Sequence, residues 1–255
     1  MKLLILGGTS DGKQLAQALH EQGITVIYSI AGLVRQPDLP CDIISGGFSK
    51  RGGLARYVID NDITALLDAT HPFADKMSQI ALDVSAQLNL TLWRYQRPDW
   101  IATPEDDWTF YEDWRDLLSA LAPYQSIFLT QGQLSESMLD ALHLHRQSGQ
   151  QFLHRTAVKP KHQIPEWMTW VQGIGPFSLD AEMAAIKNSR VEVIVSKHSG
   201  GSVPNKMLAA RELGIPALLL ARPNSPIQPE TGNVYTDIAA LVDEISRVAD
   251  VPHSL

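Results

Sequence analysis

Short apolar runs of strand length alternate with amphipathic helical patterns along most of the chain. The first run, Lys2–Leu6, predicts a buried strand. A helix is predicted to follow from about Asp11 to Gln22, because Leu15, Ala16 and Leu19 fall on one of its faces. The same reasoning predicts further strands at Thr25–Ile30, Cys41–Ile44, Thr64–Asp68 and Leu90–Arg94, and helices at Gly53–Asn61 and around Met77–Leu88.

After a polar stretch at Arg97–Trp114, which we interpret as a linker, the alternation begins again. Strands are predicted at Ser126–Thr130, Gln151–Arg155, Glu192–Ser196 and Ala217–Leu220, and helices near Ser135–His145, Leu179–Asn188, Pro204–Leu213 and Ile238–Val248. Strands that alternate with helices favour parallel sheets with right-handed crossovers. The predicted fold class is therefore α/β, with one parallel-sheet domain in residues 1–100 and a second in residues 101–255.

Charge and cysteine content limit the partners of the protein. The 255 residues carry 28 acidic side chains against 21 Lys and Arg, and the net charge of −7 argues against nucleic acid or an anionic membrane as a partner. Cys41 is the only cysteine, which excludes an intrachain disulfide and a cysteine-based metal cluster, and we predict no metal site. No run approaches the ~20 apolar residues of a membrane span, so we expect a cytoplasmic protein.

The turn between the first strand and the first helix reads Gly7-Gly8-Thr9-Ser10-Asp11-Gly12. Glycines at such a turn let backbone N–H groups approach a phosphate, and the start of the helix adds positive potential. A tight turn without a ligand is the simpler interpretation. The clean order of strand, turn and helix favours a nucleotide site.

The glycine spacing leaves the kind of nucleotide open. It differs from the G-x-G-x-x-G dinucleotide fingerprint and approaches a P-loop, since Gly7 and Gly12 are followed by Lys13. Asp68 at a strand end would imitate the acidic residue that helps to hold magnesium, but Gln14 stands where a P-loop needs a hydroxyl. A P-loop-like nucleotide hydrolase is therefore one alternative to a dinucleotide-dependent enzyme. A non-catalytic protein that senses a nucleotide and regulates a partner is another.

The end of the second strand bears on the choice between NADPH and NADH. An NAD-specific site usually carries Asp or Glu there, to bind the ribose hydroxyls. Here the strand ends near Ser29, with Arg35 beyond it, and a hydroxyl with a cation suits a 2′-phosphate. NADPH is favoured and NADH is the alternative, while Arg35 as a solvated loop residue is the simpler interpretation. The chain contains no Tyr-x-x-x-Lys, which removes the short-chain dehydrogenase mechanism.

The string Asp68-Ala69-Thr70-His71-Pro72-Phe73-Ala74 resembles the signature of the precorrin-6A reductase family, cobalt-precorrin-6A reductases included. Other strings of that family follow in the same order along nearly the whole chain. They are Gly7-Gly8-Thr9, Ala31-Gly32, Gly46-Gly47-Phe48, Arg97-Pro98-Asp99-Trp100, Gly175-Pro176-Phe177, Ser199-Gly200-Gly201, Lys206-Met207-Leu208-Ala209-Ala210-Arg211 and Arg222-Pro223.

This resemblance implies an NAD(P)H-dependent oxidoreductase that saturates one double bond of a tetrapyrrole in cobalamin biosynthesis. It implies two Rossmann-like halves, an N-terminal nucleotide-binding half and a C-terminal substrate half, which can exchange a strand, with a substrate cleft between them. The expected partners are the anionic tetrapyrrole and neighbouring enzymes of the corrin pathway. The residues expected at the cofactor are Gly7, Gly8, Thr9, Ser10, Asp11, Gly12, Ser29, Arg35, Gly46, Gly47, Phe48, Ala69 and Thr70.

Substrate residues are expected where cations or free amides follow strand ends. His71 is the candidate for proton delivery, because imidazole titrates near neutral pH, although it would equally serve to orient its loop. The residues expected at the substrate are Thr70, His71, Pro72, Arg94, Arg97, Lys197, His198, Ser199, Gly200 and Gly201. Salt bridges in the linker are the alternative for Arg94 and Arg97, and an ordinary capped turn is the alternative for the loop at 197–201.

Overall fold

A computed structural model describes residues 1–32, 37–228 and 233–250, and the chain divides into two compact units. Unit 1 comprises Met1–Pro98 and Pro223–Leu255, and unit 2 comprises Asp99–Arg222. The division predicted at residue 100 lies close to the first crossing of the chain. The last segment, which the prediction assigned to the second domain, returns instead to unit 1. Across the described residues, no helix has both the length and the apolar character needed to cross a membrane.

Unit 1 is a six-stranded parallel sheet between helices. Its elements are β1 (Lys2–Leu6), α1 (Ser10–Glu21), β2 (Thr25–Ile30), β3 (Asp42–Ser45), a 3₁₀ turn (Phe48–Arg51), α2 (Leu54–Asp60), β4 (Ala65–Asp68), α3 (Asp75–Leu88), β5 (Thr91–Tyr95), β12 (Val234–Tyr235) and α8 (Ile238–Ala249). The strand order is β12-β5-β4-β1-β2-β3. Alternate residues of β1 enter cores on opposite faces, since Leu3 packs in the cluster that α1 and α8 cover, and Leu4 packs in the cluster that α2 and α3 cover.

Unit 2 repeats this architecture with a second six-stranded parallel sheet. Its elements are β6 (Trp108–Tyr111), α4 (Trp114–Ser119), β7 (Ser126–Leu129), α5 (Glu136–His145), β8 (Gln151–Thr156), β9 (Met168–Gln172), α6 (Leu179–Asn188), β10 (Val193–Lys197), α7 (Asn205–Leu213) and β11 (Ala217–Leu220). The strand order is β6-β11-β10-β7-β8-β9. The two Rossmann-like parallel sheets confirm the predicted α/β fold class.

An exchanged strand closes one edge of each sheet. In sequence β6 follows β5, yet it pairs with β11 in unit 2. Conversely β12 follows β11, yet it pairs with β5 in unit 1. The stretch Arg97–Trp114, interpreted above as a linker, therefore contains a strand. In a simple doubly wound sheet, β6 would pair with β5 and β12 would pair with β11. Here each of these two strands pairs in the sheet of the other unit instead.

Each sheet has one point at which the order of its strands reverses. In unit 1 the chain runs outward from β1 through β2 to β3 and then returns to β4 on the other side. In unit 2 it runs outward from β7 through β8 to β9 and returns to β10. Ligands of open α/β sheets bind beyond the carboxyl ends of the strands at such a switch point. The fold therefore points to two locations, between β1 and β4 and between β7 and β10.

Candidate active site

The glycine turn after β1 is built around the side chain of Tyr28. This tyrosine is fully buried, and its hydroxyl accepts a hydrogen bond of 2.9 Å from the Gly8 amide. A Cβ atom on Gly7 would overlap the Tyr28 ring, so only glycine lets the turn lie this close to β2. Gly8 has a φ of +115°, and a Cβ there would meet no atom of the residues that the structure describes within 4 Å. The turn is thus packed tightly beneath Gly7 and open in front of Gly8.

The start of α1 offers donors to an anion. Thr9 is its N-cap, and the Thr9 hydroxyl accepts from the Gly12 amide at 3.0 Å. The amides of Ser10 and Asp11 belong to the first turn, where helix geometry provides no acceptor. The Thr9 hydroxyl also donates to the Ala69 carbonyl at 3.0 Å, which joins the loop after β1 to the loop after β4. Both sides of the unit 1 switch point are held in one arrangement that suits a phosphate.

Asp11 and Arg97, which the sequence assigned to different ligands, meet each other. Arg97 Nε lies 2.6 Å from Asp11 Oδ2, and both side chains are largely buried. The pair neutralises the acidic residue of the first turn of α1, where a free carboxylate would repel a phosphate.

Arg94 and Thr70 belong to a buried network. Arg94 Nη1 lies 2.7 Å from Asp68 Oδ1 and donates to the Thr70 hydroxyl at 3.1 Å. Thr70 in turn donates to Asp68 from its hydroxyl at 2.7 Å and from its amide at 3.0 Å. Arg94 is only 4% exposed, so its guanidinium holds the loop that begins at Thr70.

His71 follows this network in the loop that leads to α3. Its Nδ1 accepts a hydrogen bond of 3.3 Å from the Phe73 amide. Because a backbone amide only donates, the neutral imidazole carries its proton on Nε2. The carbonyl of His71 accepts from the Ala74 amide at 2.8 Å, which closes the loop just before α3. His71 is partly exposed, and Pro72 beside it is buried.

The remaining residues expected at the cofactor occupy different environments. Ser29 is buried at the end of β2, and its carbonyl accepts from the Gly7 amide at 2.8 Å. Gly46 and Gly47 follow β3 at the same edge of the sheet, whereas the Phe48 side chain is a core residue that packs against Tyr57. Arg35 lies outside the described residues.

In unit 2 the loop after β10 presents glycine amides and a buried histidine. Gly200 and Gly201 both have positive φ, at +65° and +77°, a conformation that turns successive amides toward one side. His198 is 7% exposed, its Nε2 accepts from the Trp100 amide at 3.1 Å, and its ring contacts Phe110 edge-on. Burial lowers the pKa of both Lys197 and His198. His198 therefore supports the loop from inside unit 2.

Three polar residues near the two switch points are absent from the site residues predicted from the sequence. Tyr28 shapes the glycine turn, and Gln131 and Lys206 lie at the carboxyl edge of the unit 2 sheet. Tyr28 lies in a mostly apolar strand, where the sequence pattern does not distinguish it from an ordinary core residue. Gln131 had a signal, because Thr130-Gln131-Gly132-Gln133 stands after the first strand of the second series.

The sequence profile of the family described as "Precorrin-6x reductase CbiJ/CobK" matches residues 2–246. The chain belongs to this family. The match confirms the family resemblance identified from the sequence.

Relatives in this family align along almost the entire chain. The precorrin-6A reductase of Rhodococcus erythropolis is 35% identical over 251 residues, which cover 96% of this chain and 99% of the relative. The cobalt-precorrin-6A reductase of Priestia megaterium is 27% identical over 258 residues, covering 94% and 96%. The solved structure of CobK precorrin-6A reductase covers both chains completely, with a TM-score of 0.83 and 27% identity.

Membership of the precorrin-6x reductase family makes the chain an oxidoreductase, as predicted. The geometry agrees, because Asp68 does not suit the metal-holding role of the hydrolase alternative. That carboxylate is completely buried and paired with Arg94. It accepts hydrogen bonds from the Thr70 amide and hydroxyl and so holds the loop after β4.

Proposed function

We propose that this protein uses NADPH to reduce one double bond of precorrin-6A in cobalamin biosynthesis, in the cytoplasm. The observation that carries the proposal is the glycine turn at the unit 1 switch point, whose geometry suits a phosphate, in a chain that belongs to the precorrin-6x reductase family. The substrate named for the Rhodococcus erythropolis relative, and its coverage of nearly the whole chain, support precorrin-6A.

The residues of unit 1 fit the pyrophosphate of a dinucleotide. The amides of Ser10 and Asp11 stand at a capped helix start, and the pairing of Asp11 with Arg97 removes a repulsive charge. Gly8 leaves open space in front of these donors. The end of β2 carries Ser29 and no carboxylate, which supports NADPH over NADH, and we assign the 2′-phosphate to Ser29 and Arg35.

His71 and its loop are assigned to the reacting end of the cofactor. When bound, the reduced nicotinamide supplies a hydride to the substrate. The network of Asp68, Arg94 and Thr70 fixes the start of the loop, and His71 holds a proton on Nε2. Loss of this proton from the neutral ring would leave an imidazolate, so we assign proton delivery to the imidazolium form of His71. The proton goes to the ring carbon next to the one that receives the hydride, with solvent water as the competing source.

The loop after β10 is assigned to the substrate. Precorrin-6A carries acetate and propionate side chains, which require donors in a protein of net charge −7. The amides of Ser199, Gly200 and Gly201, with the ammonium of Lys197, supply such donors. Neighbouring enzymes of the corrin pathway are the proposed protein partners.

The test is an anaerobic reaction of the purified protein with precorrin-6A and NADPH, followed by nucleotide absorbance and by the macrocycle spectrum. We expect stoichiometric loss of NADPH together with a shifted chromophore, and neither change when one reactant is omitted. Parallel reactions with NADH and with the cobalt complex decide cofactor and metal preference. No turnover in any of these reactions would reject the proposed function.

A further inference from the structure

The switch point of unit 2 lies between β7 and β10 and is tied together by Thr130. The Thr130 amide and hydroxyl both donate to the Val195 carbonyl of β10, at 2.9 and 3.0 Å. Lys206 on α7 donates from Nζ to the Thr130 hydroxyl at 3.1 Å. The loop after β7, the loop after β10 and the start of α7 therefore meet at the position where α/β sheets bind ligands.

Gln131, the next residue along, is a buried amide that the protein itself does not satisfy. It is 6% exposed, and within residues 1–32, 37–228 and 233–250 neither its Oε1 nor its Nε2 has a hydrogen-bond partner. Such groups are rare in folded proteins because burial removes their hydrogen bonds to water. The loop on either side is well held, since His154 Nε2 contacts the Gly132 carbonyl at 2.8 Å and Gln133 donates to the Val158 carbonyl at 2.9 Å. The unpaired amide thus lies in an ordered loop.

Lys206 supplies a positive charge at this switch point. Glu182, which raises the pKa of Lys206, is already paired with Arg155 at 2.8 Å, and Lys206 itself bonds to the neutral Thr130. Burial lowers the pKa of Lys206 to about 8, which leaves the ammonium charged at neutral pH. An anion would compensate for that burial.

A carboxylate fits this switch point better than a second dinucleotide does. In unit 1, α1 begins four residues after β1 ends, so its amides face the turn. In unit 2, α5 begins only at Glu136, seven residues after β7 ends at Leu129, and it starts with an acidic side chain. Side chains rather than a helix start therefore provide the donors. Exposed apolar residues follow the next two strands, Val158 after β8 and Ile174 after β9, which suits the body of a macrocycle.

We propose that Gln131 and Lys206, together with the Gly200–Gly201 loop, form a carboxylate-binding site that takes an acetate or propionate side chain of the substrate. The assignment to the substrate rests on the proposed function. The carboxylate would accept from Gln131 Nε2 and from Lys206 Nζ, and charge-assisted bonds of this kind are the stronger ones.

Two substitutions test the site in the full-length protein. Gln131→Leu and Lys206→Met each remove a donor at similar side-chain size. The KM for precorrin-6A is expected to rise about tenfold in each variant, with the KM for NADPH changed less than about twofold. Gln131→Leu should also keep or raise Tm, because it removes a buried unpaired amide, whereas a purely structural glutamine would lower Tm on replacement.

Matched controls lie outside the site. Gln151→Leu changes an exposed glutamine at the first residue of β8, at the amino ends of the strands and so away from the site. Lys187→Met changes an exposed lysine on α6. Both should retain the wild-type KM values. Lys206→Arg keeps the charge and should bind substrate more tightly than Lys206→Met.

A second measurement separates this inference from the proposed function. Uroporphyrin I, a stable tetrapyrrole with acetate and propionate side chains, is titrated against each protein by absorbance. Weaker binding by Gln131→Leu and Lys206→Met, with both controls unchanged, would support the site even if precorrin-6A were not turned over. Unchanged KM and uroporphyrin affinity in both variants would overturn it, as would a rise confined to the KM for NADPH. A wild-type protein that neither reduces precorrin-6A nor binds uroporphyrin would overturn both proposals.

Discussion

The close contact between Gly7 and the Tyr28 ring leaves no room for a side chain at residue 7. An added Cβ on Gly7 would overlap a ring that is fully buried and cannot move aside. Gly7→Ala is expected to lower the free energy of unfolding by about 1–3 kcal/mol, the usual effect of overpacking. Because the turn must shift, the rise in Tm that NADPH gives the wild type should also be lost.

The control for this prediction is Gly32→Ala. Among the described residues a Cβ at Gly32 would meet no atom within 4 Å, and its φ is not positive, so stability should stay within about 0.5 kcal/mol of wild type. Urea unfolding and thermal shift measure both effects. A Gly7→Ala protein with wild-type stability would show that the tyrosine ring does not constrain the turn.

Lys206 gives a prediction whose sign depends on pH. Burial lowers its pKa from 10.5 to about 8, while Glu182 raises this pKa and Arg155 lowers it. Between these two pH values the unfolded chain holds more protons than the folded one, so stability rises with pH there. Below about pH 8 the charged lysine destabilises the fold by at most about 3 kcal/mol.

Lys206→Met is therefore expected to be more stable than wild type at pH 7, with a gain that shrinks as the pH approaches 10. The measurement is urea unfolding of both proteins at several pH values. The difference between them isolates Lys206, since other groups titrate in both proteins. A pH-independent difference would contradict the prediction.

The loop after β4 depends on the buried network of Asp68, Arg94 and Thr70. Arg94→Met would leave the Asp68 carboxylate buried without its cation, which is expected to destabilise the protein by about 3–5 kcal/mol. Asp68→Leu combined with Arg94→Met removes both charges and should recover most of that stability. Reductase activity should not recover, because Thr70 loses the two partners that position the His71 loop.

Chemical denaturation and turnover of the single and double variants measure the two effects separately. If the double variant were as unstable as Arg94→Met, the loss would come from packing rather than from an unpaired charge. If the double variant were active, the network would not position His71.

At the level of elements, the sequence predicted the buried strands and one edge strand, β3, and missed the other three edge strands. β1, β4 and β7 are nearly continuous apolar runs because they lie inside the sheets. The missed strands are β6, β9 and β12, and all three are edges with mostly exposed or half-exposed residues. An edge strand has little apolar pattern to detect.

The same limit applies to the candidate site. Local signals placed Gly7, Thr9 and His71 beside the carboxyl edge, since each follows a predictable strand. Pairings across the sheet could not be predicted, and these decide what Arg94 and His198 do. Both residues were expected at the substrate, and both make contacts inside their own units.

At the scale of the molecule, the exchanged strands mean that residues 1–98 do not contain a complete unit. α8 places Leu241, Val242 and Ile245 in the same core as Leu3 and Ile5, and β12 closes the edge of β5. Full burial of each of the three α8 side chains contributes about 1.5–3 kcal/mol, so together they contribute roughly 5–9 kcal/mol, which is comparable with the whole stability of a small domain. A fragment of residues 1–98 is therefore expected to be unfolded by circular dichroism and to show no thermal shift with NADPH.

Joining residues 1–98 to residues 223–250 through a flexible linker should restore a cooperative unfolding transition, because it returns β12 and α8 to their sheet and core. If unit 1 holds the cofactor, this fusion should also gain Tm with NADPH, and Gly7→Ala within it should abolish that gain. The matched control fuses the same linker to residues 223–250 with Leu241 and Ile245 changed to Ser, which keeps the length and removes the core contacts. Folding of residues 1–98 alone would mean that the returning segment is dispensable. A folded fusion whose Tm does not change with NADPH would instead show that cofactor binding needs residues outside unit 1. The contribution of the returning segment to the core of unit 1 would still be supported.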